Sequence, residues 1–367
     1  NLNGTGNIGV YAQGNYKFDH NSGTVKAGKN AIAFYLKNAT GEVNINAPIE
    51  LYDSGTGATP GTTIGIYSDG DAKVNFGQNS KITVGKGAVG LYSSDATKFS
   101  NTFKVETGKS LAVELGQNST FGLLNGSTGT VNVGTYLQNN TINISSFGSG
   151  ASIFYTTGGV TANLNENYTV TNGGAASTAV LVGANGSTVK IDTGKTLTTN
   201  TNVGLIANTN GAVAENEGTL ESTRAEKGIG IYAKTATGKN SGTITMNNKN
   251  AVGMLATIGS TLTNSKKIEL NGVSSAGIYG ENSDMTNLGA NSEIVVNKEA
   301  SAGMYSKLTS ASSVAKNSKN EGKIKINADG AGKSVAMYSK VESGTKKLNT
   351  ENTGTIEVAQ KASAGIY

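Results

Sequence analysis

The chain has 367 residues, a formal net charge of +5, no cysteine, no tryptophan and one histidine, His20. This composition excludes a disulfide scaffold, a thiolate nucleophile and a metal site built from several imidazoles. Arg224 is the only arginine and the lysines are scattered, whereas nucleic-acid recognition requires clustered basic residues with aromatic platforms. We therefore expect no nucleic-acid partner and no cofactor.

The composition favours strands and tight turns over helices. Glycine is abundant at 51 residues and proline is scarce at 2. Asn, Ser and Thr compete for backbone hydrogen bonds, and β-branched residues prefer the pleated sheet. The same composition also fits a disordered chain, but regularly spaced apolar residues give this chain surface to bury and favour a folded one.

A short phrase recurs along the chain, in which a small residue stands between apolar residues and is followed by tyrosine or leucine. The copies are Ile8–Ala12, Ile64–Ser68, Val89–Ser93, Ile229–Ala233, Val252–Ala256, Ala276–Gly280, Ala302–Ser306, Val335–Ser339 and Ala364–Tyr367. Self-similarity at a nearly fixed period is typical of a solenoid, which offers a long surface in place of a pocket built around one core.

A second phrase precedes the first and has the form Asn-x-Gly, then Thr or Lys, then an aliphatic residue. Its clearest copies are Asn21–Val25, Asn216–Leu220, Asn240–Met246, Asn320–Ile326 and Asn352–Val358. Apolar and polar residues alternate after the glycine, which predicts a half-buried strand. Glycine adopts positive φ freely and asparagine tolerates it, so we predict a turn before each of these strands.

Together the two phrases predict a repeating rung. It comprises a turn, a strand such as Thr243–Met246, a polar corner, a second strand such as Ala251–Ala256 and a less regular third side. Stacking the rungs at the sheet spacing of about 4.8 Å buries a continuous core. We therefore predict an all-β fold, a parallel β-helix of about 14 rungs and roughly 65 Å in length, over residues 1–367 as one segment. The preferred hand of parallel crossovers makes it right-handed.

The first phrase predicts which side chains face outward. The residues that flank the glycine, such as Val252 and Met254, are expected to face the core, so glycine and the following tyrosine share the outer face. Stacked rungs would then align the tyrosines into a ladder that includes Tyr232, Tyr279, Tyr305 and Tyr338. The ladder either shields and stiffens the sheet or provides a platform for sugar rings.

Length variation between rungs collects after the tyrosine strand. Tyr232 precedes the next turn asparagine by 8 residues, whereas Tyr305 precedes its own by 15. We therefore predict long loops at Ser306–Lys319 and Ser339–Thr350, and an insertion at Tyr52–Thr62 on another corner. Loops of repeat proteins usually emerge on one side and carry function, although passive elongation is the alternative. The candidate contact residues are Lys307, Lys316, Lys319, Lys340, Lys346, Lys347, Asp53 and Thr59.

The repeat is least regular within residues 94–201. From Ser110 to Val189 the only charged residues are Glu114 and Glu166, so the surface is a nearly neutral one of Ser, Thr and Asn. Two interpretations stay open, namely drift under weak constraint and a specialised surface.

The sequence offers no convincing catalytic group. His20 stands beside Asp19 but would have to supply a catalytic triad alone, and the remaining carboxylates are scattered. Asp69 and Asp71 form the tightest carboxylate pair, and their Asp-Gly-Asp sequence favours a turn over a glycosidase site. We expect no catalytic residue, no metal site and no enzymatic activity.

The alternation of Asn-x-Gly-Thr-Ile-x-Val with Ala-x-Gly-Ile-Tyr in a cysteine-free chain resembles the passenger of the very large autotransporter adhesins of fusobacterial type. The best matches are Lys227–Ala256, Ser275–Ser306 and Asn352–Tyr367. The resemblance implies a fragment of a longer monomeric protein at the bacterial cell surface, held by an outer-membrane barrel elsewhere in the same polypeptide. Expected partners are a host cell-surface receptor, a glycan or partner bacteria.

Two other functions stay open beside adhesion. The segment could be a structural spacer with binding located elsewhere in the protein, since a solenoid can serve purely as a scaffold. It could also be a β-helix enzyme that degrades glycans, in which case substitution of Asp69 and Asp71 should abolish turnover.

Overall fold

A computed structural model gives the fold and describes residues 2, 6–52, 63–309, 314–327, 333–342, 346–359 and 363–367. The chain divides into two compact units. Unit 1 comprises Asn1–Tyr168 with Asn172–Val182, and unit 2 comprises Thr169–Thr171 with Gly183–Tyr367. Almost all of the regular structure is strand, and the strands pair in parallel into long sheets, which confirms the prediction of an all-β parallel β-helix.

The strands follow one another in three sides per rung. In unit 1 they are β1 (Ile8–Gly14), β2 (Lys17–His20), β3 (Val25–Ala27), β4 (Ile32–Ala39), β5 (Glu42–Ile45), β6 (Ile49–Leu51), β7 (Ile64–Ser68), β8 (Lys73–Phe76), β9 (Lys81–Val84), β10 (Val89–Ser93), β11 (Phe103–Val105), β12 (Leu111–Leu115), β13 (Thr120–Asn125), β14 (Thr130–Asn132), β15 (Ile142–Phe147), β16 (Ser152–Thr157) and β17 (Thr161–Leu164). Two strands contain residues of both units, β18 (Tyr168–Val170) and β19 (Ala179–Ala184).

Unit 2 repeats the same order with greater regularity. Its strands are β20 (Thr188–Ile191), β21 (Thr196–Thr199), β22 (Val203–Asn208), β23 (Val213–Asn216), β24 (Thr219–Ser222), β25 (Ile229–Lys234), β26 (Thr237–Asn240), β27 (Thr243–Met246), β28 (Val252–Thr257), β29 (Thr261–Asn264), β30 (Lys267–Leu270), β31 (Ala276–Glu281), β32 (Asp284–Asn287), β33 (Glu293–Val296), β34 (Ala302–Leu308), β35 (Lys316–Asn320), β36 (Lys323–Ile326), β37 (Val335–Val341), β38 (Leu348–Asn352), β39 (Thr355–Val358) and β40 (Ala364–Ile366).

The strands that carry the first phrase, which we call the tyrosine strands, pair with one another in order. In unit 1 the order is β1-β4-β7-β10-β13-β16, and in unit 2 it is β22-β25-β28-β31-β34-β37-β40. With β19 counted in unit 1, the described chain has seven tyrosine strands in each unit. This count agrees with the prediction of about 14 rungs.

The third side of each rung is regular in unit 2, so the prediction of a less regular third side was wrong there. Seven strands form it, in the order β20-β23-β26-β29-β32-β35-β38. From β23 onward each of these six strands ends at an asparagine, and in four of them this asparagine opens the second phrase. The residue therefore closes a strand, where the sequence had predicted a turn.

These asparagines form a buried column, which we call the asparagine ladder. Its members are Asn216, Asn240, Asn264, Asn287, Asn320 and Asn352. Each side-chain amide donates a hydrogen bond to the Oδ1 of the next member, at 2.6–2.7 Å from Nδ2. Asn216 to Asn320 are at most 1% exposed. A buried amide is normally hydrogen-bonded, and from Asn240 onward the preceding rung supplies the donor for each side-chain oxygen of the ladder, while the Oδ1 of Asn216 has no partner among the described residues.

Four of the six ladder asparagines are followed two residues later by a glycine that is required by space, namely Gly218, Gly242, Gly322 and Gly354. A Cβ on Gly242 would overlap the carbonyl oxygen of Gly218, and a Cβ on Gly354 would overlap that of Gly322. None of these four glycines has a positive φ, so the predicted reason was wrong for them, whereas Gly289, which follows Asn287, has a φ of 77° as predicted and no atom within 4 Å of its Cβ position. The prediction is confirmed in unit 1 for Gly23 and Asn79, whose φ values are 76° and 68°.

The tyrosine strands depart from strict alternation at their glycine. Met254 is fully buried as predicted, whereas Val252 is only half-buried and lies on the outer side. Gly253 is buried, and a Cβ on it would meet the Cγ2 of Ile268 in the core. The prediction that glycine and tyrosine share the outer face was therefore wrong. The irregularity at glycine places two successive residues inside.

The helices of the described chain lie in unit 1, within the predicted irregular range 94–201. A short 3-10 helix spans Ala96–Lys98 and leads into α1 (Phe99–Thr102), and α2 (Val133–Asn139) follows four strands later. No helix among the described residues has the length and apolar character needed to cross a bilayer.

Buried aromatic rings hold these helices in place. Phe99 lies 5.0 Å from Phe103, 5.3 Å from Tyr136 and 5.7 Å from Phe154, measured between ring centroids. Phe121 lies 6.0 Å from Phe154. All five residues are at most 2% exposed, so the repeat is irregular here because helices and an aromatic core replace parts of the rungs.

Candidate functional site

The outer side of the tyrosine strands in unit 2 carries three parallel columns of side chains, and we call this surface the tyrosine face. The strand registers of β25, β28, β31, β34 and β37 define the columns. The apolar column is Ile229, Val252, Ala276, Ala302 and Val335. The tyrosine column is Tyr232, Leu255, Tyr279, Tyr305 and Tyr338. The charged column is Lys234, Thr257, Glu281, Lys307 and Lys340.

The tyrosine rings stack face to face in the last part of the column. Ring centroids are 4.9 Å apart between Tyr279 and Tyr305, 4.7 Å between Tyr305 and Tyr338, and 5.3 Å between Tyr338 and Tyr367. The interplanar angles are 12°, 24° and 8°. This confirms the predicted ladder for Tyr279, Tyr305 and Tyr338. Because each ring covers the face of its neighbour, the ring edges and the hydroxyl groups face outward and the ring faces do not.

Tyr232 belongs to the same column but has no aromatic neighbour in it. Its register partners are Ile206 and Leu255, and its hydroxyl lies 3.1 Å from Thr257 Oγ1. The sequence predicted a partial ladder, and Leu255 is the residue that interrupts it.

A shallow groove runs beside the stacked rings. Its volume is about 410 Å³, and Val252, Ala276, Ala302 and Val335 of the apolar column line it together with Tyr279, Tyr305 and Tyr338. The two alanines create the groove, because their methyl groups lie between the larger valines of the column. The result is a narrow apolar trough with phenol edges as one wall, an arrangement typical of the anchor pockets at protein interfaces.

The rim beyond the tyrosine column is an ion-pair network. Lys307 Nζ lies 3.4 Å from Glu281 Oε2 and 3.2 Å from Glu342 Oε1, and Lys340 Nζ lies 3.4 Å from Glu342. Burial raises the pKa of the Tyr279 phenol above its ordinary value, and the charge of Glu281 adds to this. The tyrosine face therefore combines an apolar trough with a charged rim.

The structure corrects the placement of the candidate loop lysines. Lys307 and Lys340 lie on tyrosine strands β34 and β37, and Lys316 and Lys319 lie on β35. The segments Ser306–Lys319 and Ser339–Thr350 thus begin and end as strands, because lysines that alternate with small polar residues can face outward from a sheet.

Lys316 and Lys319 are engaged within the fold. The side chain of Lys316 is only 8% exposed and its Nζ lies 3.2 Å from Asp284 Oδ2. Lys319 pairs with Glu321 at 2.9 Å and with Glu351 at 3.8 Å. A variant that lacks Ser306–Lys319 would lose most of β35 as well as the surface lysines. Its effect on binding would therefore not distinguish a lost surface contact from a damaged fold.

The remaining candidates divide between exposed positions and positions outside the described residues. Lys346 and Lys347 are exposed and lie just before β38. Asp53 and Thr59, in the predicted insertion Tyr52–Thr62, lie outside the described residues. A contact role for any of these lysines stays a prediction.

Unit 1 has a second tyrosine column with a different geometry. The centroid distances are 5.5 Å for Tyr11 and Tyr35, 4.8 Å for Tyr35 and Tyr67, and 4.8 Å for Tyr67 and Tyr92. The first two contacts are edge-to-face, at 85° and 89°. Burial raises the pKa of Tyr67 to about 12. Each ring is again occupied by its neighbours.

The histidine and the aspartates that were considered as catalytic candidates make contacts that stabilise the fold and do not form a common site. His20 is 9% exposed and packs 5.9 Å from the Phe34 ring, while Asp19 accepts a hydrogen bond from Asn44 Nδ2 at 2.6 Å. Asp71 pairs with Lys98 at 2.8 Å, and Asp69 accepts the backbone N–H of Asn38. Among the described residues no three His, Asp or Glu side chains converge in a way that could hold a metal ion.

Comparison with known proteins gave no match of this sequence to a protein-family model, a curated protein or a solved structure.

Proposed function

We propose that the chain is a structural and adhesive solenoid of a bacterial cell surface, and that it attaches the bacterium to host cells or to other bacteria. In this proposal it is part of the passenger of an outer-membrane autotransporter. The support is the likeness of its two repeated phrases to those of such adhesins, together with the β-helix that these phrases form.

The observation that carries the adhesive part of the proposal is the tyrosine face of unit 2. Apolar and aromatic side chains point outward in register on successive rungs, where a purely solvated sheet would carry polar ones. The valines and tyrosines of this face are half-buried and its two alanines are at most 9% exposed, so the accessible apolar surface is confined to the trough. An apolar groove with a charged rim is typical of an interaction site. The trough between the valines offers a place for an apolar anchor of a partner molecule.

The stacking of the tyrosine rings limits how a partner molecule can contact them. A sugar ring binds an aromatic residue by lying over its face, but Tyr305 has a ring on each face at 4.9 and 4.7 Å. A glycan platform along this column is therefore disfavoured, and contact through the apolar trough and the phenol edges is favoured. The receptor class that best fits this surface is a protein.

A structural spacer is the second candidate, and the same rings support it. Continuous stacking contributes about 0.5–1.5 kcal/mol for each aromatic pair, which stiffens the sheet without any partner. Under this alternative the tyrosine face would shield the backbone of the sheet and make no contact.

Competition for attachment separates the two candidates. Bacteria that display the whole protein are allowed to attach to host cells or to partner bacteria while the purified 367-residue chain is added. The adhesive proposal predicts that the chain binds the target cells and reduces attachment in a dose-dependent manner. If the chain neither binds the cells nor competes, the spacer function replaces adhesion.

A further inference from the structure

A polar notch opens in unit 1 between the two inserted helices, and none of the residues that line it was considered above for adhesion. Its volume is about 410 Å³, and the side chains that matter are Ser100 and Asn101 of α1, Lys104 of β11, and Thr135 and Asn139 of α2. We call this site the helix notch. It lies in the irregular part of the sequence, for which drift and a specialised surface were both open.

The walls of the helix notch are held by the core. Phe99 and Tyr136, which belong to α1 and α2, pack against each other inside the aromatic cluster. Asn140, at 7% exposure, accepts the backbone N–H of Val105 at 2.6 Å and donates to the carbonyl of Tyr136 at 2.8 Å, which joins β11 to α2. The backbone that carries the ligand-facing side chains is therefore held in place before a ligand binds, which lowers the cost of ordering the site.

The groups that face the notch are mostly uncommitted donors. Asn101 and Asn139 are exposed, and among the described residues neither takes a side-chain hydrogen bond. Lys104 is exposed, and no described carboxylate pairs with it. In the column of outward side chains below it stand Asn75 and Asn44, which hydrogen-bond to each other at 2.9 Å. No carboxylate of the described part of the chain lines the notch, so the ammonium of Lys104 supplies its charge.

We propose that the helix notch binds a sugar residue that carries a carboxylate. Amides and hydroxyls match the hydroxyl groups of a sugar, since each can donate and accept. The half-buried Val105 gives an apolar patch for ring carbons, and one ammonium matches one carboxylate as a charge-assisted hydrogen bond. The volume is at the lower end of the range for small-molecule sites, which suits a single residue of a glycan.

A ligand that carries several phosphates fits less well. Phosphate recognition favours arginine forks or several lysines, and the notch has one lysine and no arginine. A neutral sugar would leave the ammonium without a partner. The carboxylated sugar therefore accounts for the amide groups and the charge together.

The test is a glycan array with matched probes that end in glucuronate or glucose, probed with the purified chain. We expect the signal for terminal glucuronate to exceed that for terminal glucose at least tenfold, and Lys104→Met to remove this preference. Lys109→Met, a nearby lysine outside the notch, should keep it. Circular dichroism checks that both variants fold, which is expected because Lys104 is exposed.

Three results would overturn the inference. They are the absence of signal for both probes, equal signals for both, and an unchanged preference in Lys104→Met. The site goes beyond the proposed adhesion through the tyrosine face, and the two can fail separately. Substitution of Ala302 by arginine in unit 2 should leave glucuronate binding unchanged, because Ala302 and Lys104 belong to different units.

Discussion

At the residue scale, the asparagine ladder explains why the second phrase repeats. Asn240 is 1% exposed and its amide donates to Asn264 Oδ1 while Asn216 donates to it. The sequence alone predicted a turn, because asparagine is polar and favours turns. Burial of an amide in this position depends on an identical residue in the next rung, so it could be inferred only after the strand register was known.

The ladder predicts a large penalty for removing one member. Asn264→Ala removes one acceptor of the Asn240 amide, which keeps the carbonyls of Gly242 and Lys267, and it leaves the Oδ1 of Asn287 without its donor in a buried site. An unsatisfied buried group costs about 1–3 kcal/mol, so we expect a loss of about 2–4 kcal/mol in the free energy of unfolding. Urea denaturation of unit 2 measures it.

Asn271→Ala is the matched control for this prediction. Asn271 donates to Asn247 and accepts from Asn297 in a second asparagine column, but the first of these bonds is exposed. Water can replace an exposed partner, so its loss should cost less than about 1 kcal/mol. Equal losses in the two variants would show that burial of the ladder contributes nothing.

The glycine of the second phrase should tolerate no side chain. Gly242→Ala would place a Cβ against the carbonyl oxygen and amide of Gly218 in the preceding rung, both of them backbone atoms that cannot move away. We expect a loss of more than about 2 kcal/mol by overpacking. Gly174→Ala is the control, because nothing lies within 4 Å of its Cβ position. Thermal unfolding of both variants measures the two losses. A loss in Gly242→Ala alone indicates that the glycine is needed for the close approach of the rungs, whereas similar losses in both variants indicate a general preference for glycine in turns.

At the element scale, alternation predicted the second phrase better than the first. Strand β27 alternates as expected, with Ile244 and Met246 fully buried. Strand β28 does not, because its register with β25 passes over Gly253 and two adjacent residues point inward. Strict alternation of inward and outward residues contains no sign of such an irregularity. The sequence therefore did not predict that Val252 faces outward, and it did not predict the apolar column.

The bounds of the predicted loops were too wide for a related reason. Lysine-rich segments with variable length suggested solvated loops, but Lys316 is held in β35 by its ion pair with Asp284. The partner lies 32 residues earlier in the chain, so no local pattern indicates it. The variable spacing did identify the correct corner, since the length differences fall between the tyrosine strand and the third side.

Replacing a tyrosine of the column by alanine should destabilise the fold by different amounts at different positions. Tyr305→Ala removes a ring stacked on both sides, whereas Tyr232→Ala removes a ring between Ile206 and Leu255. Each aromatic pair is worth about 0.5–1.5 kcal/mol beyond the area it buries, so Tyr305→Ala should be more costly by about 1–3 kcal/mol. Chemical denaturation of the two variants measures the difference. A larger loss for Tyr232→Ala would contradict stacking as the source of stability.

At the scale of the whole molecule, the repeat was sufficient to predict the architecture but not the inserted helices of unit 1. Two alternating phrases indicated the parallel β-helix and the number of rungs, because each rung needs its neighbours to bury a core. The inserted helices depend on packing among Phe99, Tyr136 and Phe154, which are distant in sequence. The departure from the repeat marked their place but not their structure.

Stability should fall in strongly alkaline solution because burial makes the ionisation of two half-buried phenols less favourable in the folded state than in the unfolded chain. Burial raises the pKa of Tyr16 and of Tyr67 to about 12, from about 10 in the unfolded chain. A raised folded pKa favours folding below pH 10, and this contribution is lost as the pH rises from about 10 through about 12.

Phenylalanine substitutions test this dependence. The double variant Tyr16→Phe, Tyr67→Phe should lose less stability than the natural sequence between pH 10 and 12, as measured by urea denaturation at each pH. Tyr11→Phe serves as the control, because Tyr11 is 51% exposed. Identical pH profiles for the double variant and the natural sequence would exclude these two phenols as the cause.

The central claim about the molecule is that the tyrosine face of unit 2 makes the adhesive contact. The most direct measurement is the dissociation constant of the purified chain for target cells, compared between Ala302→Arg, which fills the trough, and Thr245→Arg, which adds the same charge on the outer side of β27. We predict at least tenfold weaker binding for Ala302→Arg, about 1.4 kcal/mol, and unchanged binding for Thr245→Arg. Equal affinity of both folded variants and the natural sequence would contradict the claim.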